Sequence, residues 1–176
     1  KEKIVRVLMT VHVAQKDKFL EDRGEIFTFF DNKDFPLQID FVQDKVSISH
    51  KGVVRGFHGD SKTYKLITCI HGKVKFVTYD LKTSERREFI LDSEDKLQTS
   101  VLLSPFVLNA HQCLTKSCIF LYKLSEYYTC PEEQWSVEFN DASINPKWPI
   151  ETTVVSTRDK NSGSLKELKV RLKNEL

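Results

Sequence analysis

The sequence has no long apolar segment and almost no excess of charge of either sign. No stretch approaches the roughly 18 apolar residues that a membrane-spanning helix requires, so we expect no membrane segment. The 176 residues carry a net charge of +2, a balance that argues against a nucleic-acid-binding surface. The N-terminal stretch KEKIVRVLMTVHVAQKDKF lacks the sustained apolar core and the cleavage site of a signal peptide. We therefore expect a cytoplasmic protein.

The four cysteines lack a CxxC pair and any other spacing typical of a zinc or haem site. Four cysteines could form two disulfides, but without a secretory signal we expect four reduced and mostly buried thiols. A chain of this length can bury a substantial core without disulfides. No internal repeat or low-complexity segment is visible, and we predict one domain over residues 1–176.

The hydrophobic pattern is mainly that of β-strands. In KVKFVTYD, Lys73–Asp80, alternate residues are directed to opposite faces, Val74 and Phe76 to one and Val77 and Tyr79 to the other. ITCIHGKVKF predicts two strands joined at His71-Gly72, where glycine supplies a positive φ. Further β-rich runs are Arg87–Leu91, Leu97–Leu103 and Cys118–Leu124. Such short runs, recurring every ~10–15 residues, are typical of an antiparallel sandwich or barrel.

The C-terminal segment has a helical pattern instead. Leu165, Leu168 and Leu172 follow one another at spacings of three and four, which places them on one helix face. Ser164 and Glu167 have the spacing of a capping box, which marks a helix start. We predict a short amphipathic helix over Ser164–Asn174, packed on the outside of the sheet.

The stretch VVRGFHGD, Val53–Asp60, is the first candidate for chemistry. His58 could be a metal ligand, an acid–base group or a buried histidine with satisfied hydrogen bonds. A metal site in a barrel would need a second histidine two positions away, but Gly56 and Asp60 stand there. Arg55 suggests an anionic ligand, because its guanidinium group matches phosphate oxygens.

Four other stretches carry groups that could act with His58. They contain His111 in LNAHQCL, Tyr122 and Tyr128 in FLYKLSEYYTCPEEQW, Asp159 in VSTRDK, and Arg23 in EDRGEIF. Each also has an ordinary structural explanation: a core histidine, core or rim aromatics, and charged residues in surface turns. No single stretch decides between these interpretations.

The order and spacing of these stretches are specific. The segments DRGEIF, FVQDKVSISHKGVVRGFHGD, YKLITCIHGKV, YDLKTSE, AHQ, LYKLSEYYTCPEE, FNDASINPKWPI and VSTRD resemble the dTDP-4-dehydrorhamnose 3,5-epimerase family. The resemblance covers roughly Asp22 to Asp159. It implies an all-β, cupin-type jelly-roll sandwich or barrel, with a core over residues 22–159 and the short helix at about 164–174. It also implies a metal-free cupin that uses no cofactor.

The resemblance implies a role for each of four residues in the chemistry. His58 resembles the general base that removes the proton next to the keto group, and Asp159 resembles the carboxylate that orients it. Tyr122 resembles the acid that returns a proton on the other face. Lys65 resembles the cation near the keto oxygen.

A second group of residues resembles the family's substrate contacts. Arg23 and Arg55 correspond to diphosphate contacts, Tyr128 to the aromatic that stacks on the base, and His111 to a second contact of the sugar. The remaining predicted contacts are Gln43, Asp44, Glu133 and Arg158.

The implied function is epimerisation of a nucleotide-diphosphate-linked 4-keto-6-deoxy sugar at C3, C5 or both, for the deoxysugar of a surface polysaccharide. Three alternatives stay open: a single-site epimerase, an isomerase that uses a GDP- or CDP-linked sugar, and a non-catalytic sugar-nucleotide-binding cupin. Family members also lead us to expect a homodimer.

Six positions depart from the family pattern: Thr28, Lys45, Gly59, Asp60, Gln112 and Cys113. We expect all of them except Cys113 to line or border the substrate cleft, where they would alter the choice of base or sugar.

Overall fold

Twelve β-strands and two short α-helices make up the main regular structure of residues 9–176, the part of the chain described by the computed structural model. Residues 1–8 lie outside the described residues. They belong to the predicted domain and to the N-terminal stretch that was considered as a signal peptide. The strands are β1 Val11–Asp17, β2 Phe19–Glu21, β3 Gly24–Ile26, β4 Gln43–His50, β5 Val54–Gly59, β6 Lys65–His71, β7 Lys73–Asp80, β8 Arg86–Asp92, β9 Leu97–Leu103, β10 Val107–Cys113, β11 Ser117–Leu124 and β12 Trp135–Ser136. The helices are α1 Thr157–Lys160 and α2 Leu165–Arg171, and single 3-10 turns occupy Asn32–Asp34 and Pro131–Glu133.

The strands form two open five-stranded sheets and one small hairpin. The first sheet has the order β1-β9-β6-β11-β4, and the second has the order β12-β5-β10-β7-β8. Neighbouring strands are antiparallel in both sheets, and β2 pairs with β3 in the hairpin. The predicted all-β class and the jelly-roll sandwich are therefore confirmed, as two open sheets and not as a closed barrel.

The core between the two sheets consists of side chains from both of them. The cluster contains residues that are 4% exposed or less: Val11, Ile67, Cys69, Val74, Phe76, Leu91, Val101, Leu103, Val107, Cys113, Cys118 and Phe120. The alternation predicted for β7 is confirmed, since Val74 and Phe76 lie in this core while Val77 and Tyr79 pack on the other face of the sheet. The cysteines are free thiols, and Cys130 alone of the four is not fully buried.

The turn at His71-Gly72 connects the two sheets. Gly72 has a φ of +76°, as its sequence position predicts, and a Cβ there would overlap the carbonyl oxygen of Ser117. However, β6 belongs to the first sheet and β7 to the second. The two strands are therefore consecutive along the chain without being partners in a hairpin.

Helix α2 packs on the outer face of the second sheet, as predicted. The Ser164 hydroxyl accepts the Glu167 N–H at 3.2 Å, and the Glu167 carboxylate accepts the Ser164 N–H at 2.7 Å, so the capping box is present. Leu165, Leu168 and Leu172 are buried in a cluster with residues of β5, β7 and β10. The helix, Leu165–Arg171, lies within the predicted segment.

The outer face of the first sheet is covered only in part. Aromatic residues of the segment before β4, including Phe30 and Phe35, pack over Leu66 and Leu102. The edge strand β4 is left open, with Val46 57% and Ile48 64% exposed. No helix among residues 9–176 is long and apolar enough to cross a membrane.

Candidate active site

A cavity of about 720 Å³ opens between the two sheets beside strand β4. The first sheet contributes side chains from β4, β6 and β11 to its lining, and the second contributes β5 and β10. The segment around α1 adds Ser156, Arg158 and Asp159, and the segment between β11 and β12 adds Tyr128, Pro131 and Gln134. Of the predicted site residues, the cavity brings together His58, Asp159, Tyr122, Lys65, Arg55, Arg158 and Tyr128.

His58 and Asp159 form a close pair in this cavity. The His58 Nε2 atom lies 2.6 Å from Asp159 Oδ1, and the Asp159 side chain is only 4% exposed. The other Asp159 oxygen accepts the Gly56 N–H at 3.3 Å, while Ser156 caps the short helix that carries Asp159. Burial raises the pKa of Asp159, but its hydrogen bonds, first of all that to His58, outweigh this and lower the pKa. The carboxylate is therefore held charged beside the imidazole.

The backbone around His58 fits closely against β10. Gly56 has a φ of +114°, and a Cβ there would overlap the carbonyl oxygen of Asn109. The Asn109 side chain donates to the His58 carbonyl at 3.0 Å and also lines the cavity. Asn109 was not identified from the sequence, although it lies two residues before His111 on one strand and a period of two could have pointed to it. Within residues 9–176, His58 belongs to no group of three or more potential metal ligands.

Tyr122 enters the cavity from the facing sheet. It lies in β11, whose alternation directs Tyr122 inward together with Phe120. Burial raises the pKa of Tyr122 to about 12, although the nearby Ser47 hydroxyl and the positive charge of Arg55 act in the opposite direction. The phenol therefore stays protonated at neutral pH and can act as a proton donor.

Three cations in the lining have no carboxylate partner within residues 9–176: Lys45, Arg55 and Arg158. Arg55 donates to the Ser49 hydroxyl at 2.9 Å, and Arg158 donates to two backbone carbonyls. The Lys45 ammonium lies 3.4 Å from the centroid of the Tyr128 ring. Asp159 adds one negative charge to the lining and Asp60 offsets Lys65, so a positive excess remains and the cavity favours an anionic ligand.

His111 does not reach the cavity. It is 1% exposed and stacks on Phe120 with ring centroids 4.0 Å apart, and its Nε2 atom has no hydrogen-bond partner among residues 9–176. Burial, with smaller contributions from Arg55 and His58, lowers the pKa of His111 to about 3. The imidazole is therefore neutral and lies behind the cavity lining.

Four other predicted contacts also lie outside the lining of the main cavity. Gln43 accepts the backbone N–H of Tyr128 at 2.8 Å, so it supports the cavity indirectly. Asp44 pairs with a lysine of β11, and Glu133 lines a much smaller adjoining cleft. Arg23 lies in the β2–β3 hairpin, where its side chain is 82% exposed.

Of the five departures that we expected at the substrate cleft, only Lys45 lines the cavity within residues 9–176. Lys45 lines the cavity, and Asp60 contacts it through an ion pair with Lys65. Gln112 is fully buried and donates to the carbonyl of Ile150. Thr28 and Gly59 do not line the cavity.

Comparisons with known proteins agree on one group. The sequence model of a protein family described as dTDP-4-dehydrorhamnose 3,5-epimerase matches residues 7–167. The chain is 33% identical to dTDP-4-dehydrorhamnose 3,5-epimerase of Escherichia coli K12, over 93% of each chain. It is 29% identical to dTDP-4-dehydro-6-deoxyglucose 3-epimerase of a Streptomyces species, over 81% of this chain and 74% of the relative.

A solved structure has a similar fold. The crystal structure of dTDP-6-deoxy-D-glucose-3,5-epimerase from Legionella pneumophila, in complex with dTDP-4-keto-L-rhamnose, superposes with a TM-score of 0.83. The two chains are 25% identical, and the match covers 94% of this chain and 93% of that one.

Proposed function

Because the chain belongs to the dTDP-4-dehydrorhamnose 3,5-epimerase family of isomerases, we propose that it epimerises a dTDP-linked 4-keto-6-deoxy sugar at C3 and C5. The observation that carries this proposal is the composition of one cavity. His58 of one sheet, paired with the buried Asp159 carboxylate, lines it, and a protonated tyrosine lines it from the other sheet, among cations that have no carboxylate partner within residues 9–176. These are the groups that proton transfer on a bound anionic sugar requires.

The first step of the proposed reaction uses His58 as the base. Its Nε2–H donates to Asp159, which leaves Nδ1 unprotonated and able to take a proton from the carbon next to the keto group. The electron pair of the broken C–H bond moves toward the keto oxygen and forms an enolate. Asp159 then stabilises the imidazolium that results.

The second step returns a proton to the opposite face of the sugar. Lys65 supplies positive charge for the enolate oxygen, and fixed charge of this kind is often the largest catalytic contribution. Tyr122 donates its phenolic proton to the carbon from the other side, which inverts the configuration. Tyr122 suits this role because its raised pKa, about 12, keeps it protonated before the step.

The cations of the cavity lining suit the diphosphate of the substrate. Arg55 and Arg158 offer guanidinium groups that match phosphate oxygens. Tyr128 offers a ring face for the base, a face that Lys45 covers at 3.4 Å in this structure. Lys45 must therefore move aside or add its charge to the bound nucleotide.

A second candidate is epimerisation at C3 alone. The similarity to a dTDP-4-dehydro-6-deoxyglucose 3-epimerase favours it, and the same base and acid serve either reaction. The difference would lie in whether the sugar ring can present a second carbon to His58.

We further propose that the enzyme is a single-domain homodimer in the cytoplasm that supplies a deoxysugar for a surface polysaccharide. The exposed position of Arg23 suits a contact with the neighbouring subunit's diphosphate. His111, Gln43, Asp44 and Glu133 act as supporting residues around the bound substrate.

The test is incorporation of solvent deuterium. The purified protein is incubated in D₂O with dTDP-4-dehydro-6-deoxyglucose, and C3 and C5 are followed by NMR, with CDP- and GDP-linked analogues in parallel. We expect exchange at both carbons with the dTDP sugar and none in His58→Ala. Exchange at C3 alone selects the second candidate, and no exchange with any nucleotide refutes both.

A further inference from the structure

The loop between β5 and β6 carries a carboxylate beside the cavity lysine. We infer that Asp60 is a positioning residue that keeps the Lys65 ammonium charged and fixed at the cavity surface. This inference rests on the proposed function for its catalytic meaning. The ion pair itself is a property of the structure, with Asp60 Oδ2 3.5 Å from Lys65 Nζ.

The loop itself fixes the Asp60 carboxylate. Its Oδ1 atom accepts the backbone N–H of Lys62 at 3.0 Å and that of Thr63 at 2.6 Å. Its Oδ2 atom accepts from the Gln134 side chain at 3.4 Å. One oxygen is thus held by the backbone while the other stays directed at the lysine, so the carboxylate cannot turn away without losing hydrogen bonds.

Asp60 is the nearest opposite charge to a deeply buried ammonium. The side chains of Lys65 and Asp60 are 6% and 7% exposed, and the register partners of Lys65 are the apolar Leu103 on β9 and Leu124 on β11. Lys45 from β4 is a like charge in the same lining.

The other ionisable groups that face Lys65 across the cavity are His58, Asp159 and Tyr122. Burial lowers the pKa of Lys65, Asp60 opposes this, and Lys45 lowers it further. The charge of Lys65 in turn keeps Asp60 ionised. Burial raises the pKa of Asp60, but the positive charge of Lys65 and, after it, the hydrogen bonds of the loop lower this pKa below its usual range.

The pair matters for the proposed reaction because an enolate needs a cation that is already present and in place. A lysine on a four-carbon stem is mobile and loses its proton readily when buried. Asp60 counters both tendencies, at one of the positions where the chain departs from the family pattern. Its carboxylate is directed at Lys65 and does not itself line the cavity.

The chain contains a matched control for this carboxylate. Asp80 ends β7 and is 2% exposed, and its Oδ1 accepts the backbone N–H of Lys82 at 2.7 Å and that of Thr83 at 3.0 Å. Asp80 therefore stabilises its loop in the same way as Asp60, but it forms no ion pair within residues 9–176. An Asp→Asn change at either position keeps a side-chain oxygen that can accept the backbone N–H groups of the loop. Only Asp60→Asn also removes a negative charge beside a lysine.

The first experiment compares Asp60→Asn, Asp60→Glu and Asp80→Asn in the deuterium-exchange assay. We expect kcat of Asp60→Asn to fall about 10²-fold with KM little changed, since fixed charge at the enolate is lost. The alkaline limb of its pH profile should move to lower pH, because the neutral amine is favoured. Asp60→Glu should recover part of the rate, and Asp80→Asn should leave rate and profile unchanged.

The second experiment does not depend on turnover. Lysine carrying ¹³C at the ε carbon is incorporated, the Lys65 signal is assigned with Lys65→Met, and its titration is followed by NMR. We expect Lys65 to lose its proton at lower pH in Asp60→Asn than in the wild type and Asp80→Asn. An unchanged Lys65 titration with an unchanged pH profile would overturn the inference, and so would equal changes in Asp80→Asn. If the wild-type protein turns over no keto sugar, the proposed function fails, and the lysine titration alone decides whether Asp60 holds the charge.

Discussion

The substitution Asp159→Asn tests the histidine–aspartate pair most directly. It removes the negative charge beside His58 and hardly alters the size of the side chain. In the proposed first step His58 becomes an imidazolium whose Nε2 lies 2.6 Å from the carboxylate. The variant must form that cation beside a neutral amide, so the loss falls on the transition state more than on substrate binding.

The magnitude follows from the distance and the burial of the pair. Two unit charges with centres about 4 Å apart interact by about 4 kcal/mol at an effective dielectric constant of about 20. The His58 side chain is 25% exposed, and solvent screening reduces this to about 2–4 kcal/mol. At about 1.36 kcal/mol per factor of ten, kcat should fall roughly 30- to 10³-fold.

The assay is deuterium incorporation at C3 and C5 under saturating substrate, together with KM. Asp141→Asn serves as the control, because Asp141 is also buried and accepts backbone N–H groups, those of Ser143, Ile144 and Leu165. The control should keep its exchange rate. A rate for Asp159→Asn within tenfold of the wild type would contradict the charge argument.

Three further predictions concern other residues around the cavity. Tyr122→Phe should slow inversion more than exchange, because His58 can still remove and return a proton on one face; equal losses in the two NMR rates would contradict this. Arg55→Ala should raise KM with little change in kcat, since Arg55 has no carboxylate partner in the described part of the chain and its charge serves binding; steady-state kinetics checks it. His111 should destabilise the fold in acid, because its pKa is about 3 when folded and about 6.5 when unfolded, so the unfolded chain takes up the proton first as the pH falls below about 6.5. The free energy of unfolding should drop by about 2 kcal/mol between pH 7 and pH 5 from this group, and urea titrations of His111→Phe should lack that part of the drop.

Elements with a strong local pattern were predicted well from the sequence. The alternation in β7 assigned its two faces, and Ser164 with Glu167 marked the start of α2. These features depend on side-chain periodicity and on hydrogen bonds over three residues, and both involve residues that are close together in the sequence. The sheet to which each strand belongs was not predictable in this way. Gly72 indicates a turn, but it does not indicate that β6 and β7, on either side of the turn, belong to different sheets.

The residues of the cavity came from the family resemblance, and the structure added their arrangement. His58 and Asp159 are 101 residues apart, and no local pattern connects them. His111 and Asp44 carry the same residue types as true cavity groups, yet one is buried behind the lining and the other pairs with a lysine on β11. Asn109 lines the cavity without any chemical signal that distinguishes it from an ordinary strand residue.

The sequence by itself determined the β-rich class, the C-terminal helix and the family, because these depend on periodicity and on the order of short motifs. Only the tertiary structure decided which charges neutralise one another. It paired Asp60 with Lys65, and it left Lys45, Arg55 and Arg158 without carboxylate partners within residues 9–176. The reason is physical: the strength of an ion pair depends on distance and burial, and the packing of two sheets sets both for residues far apart in the chain.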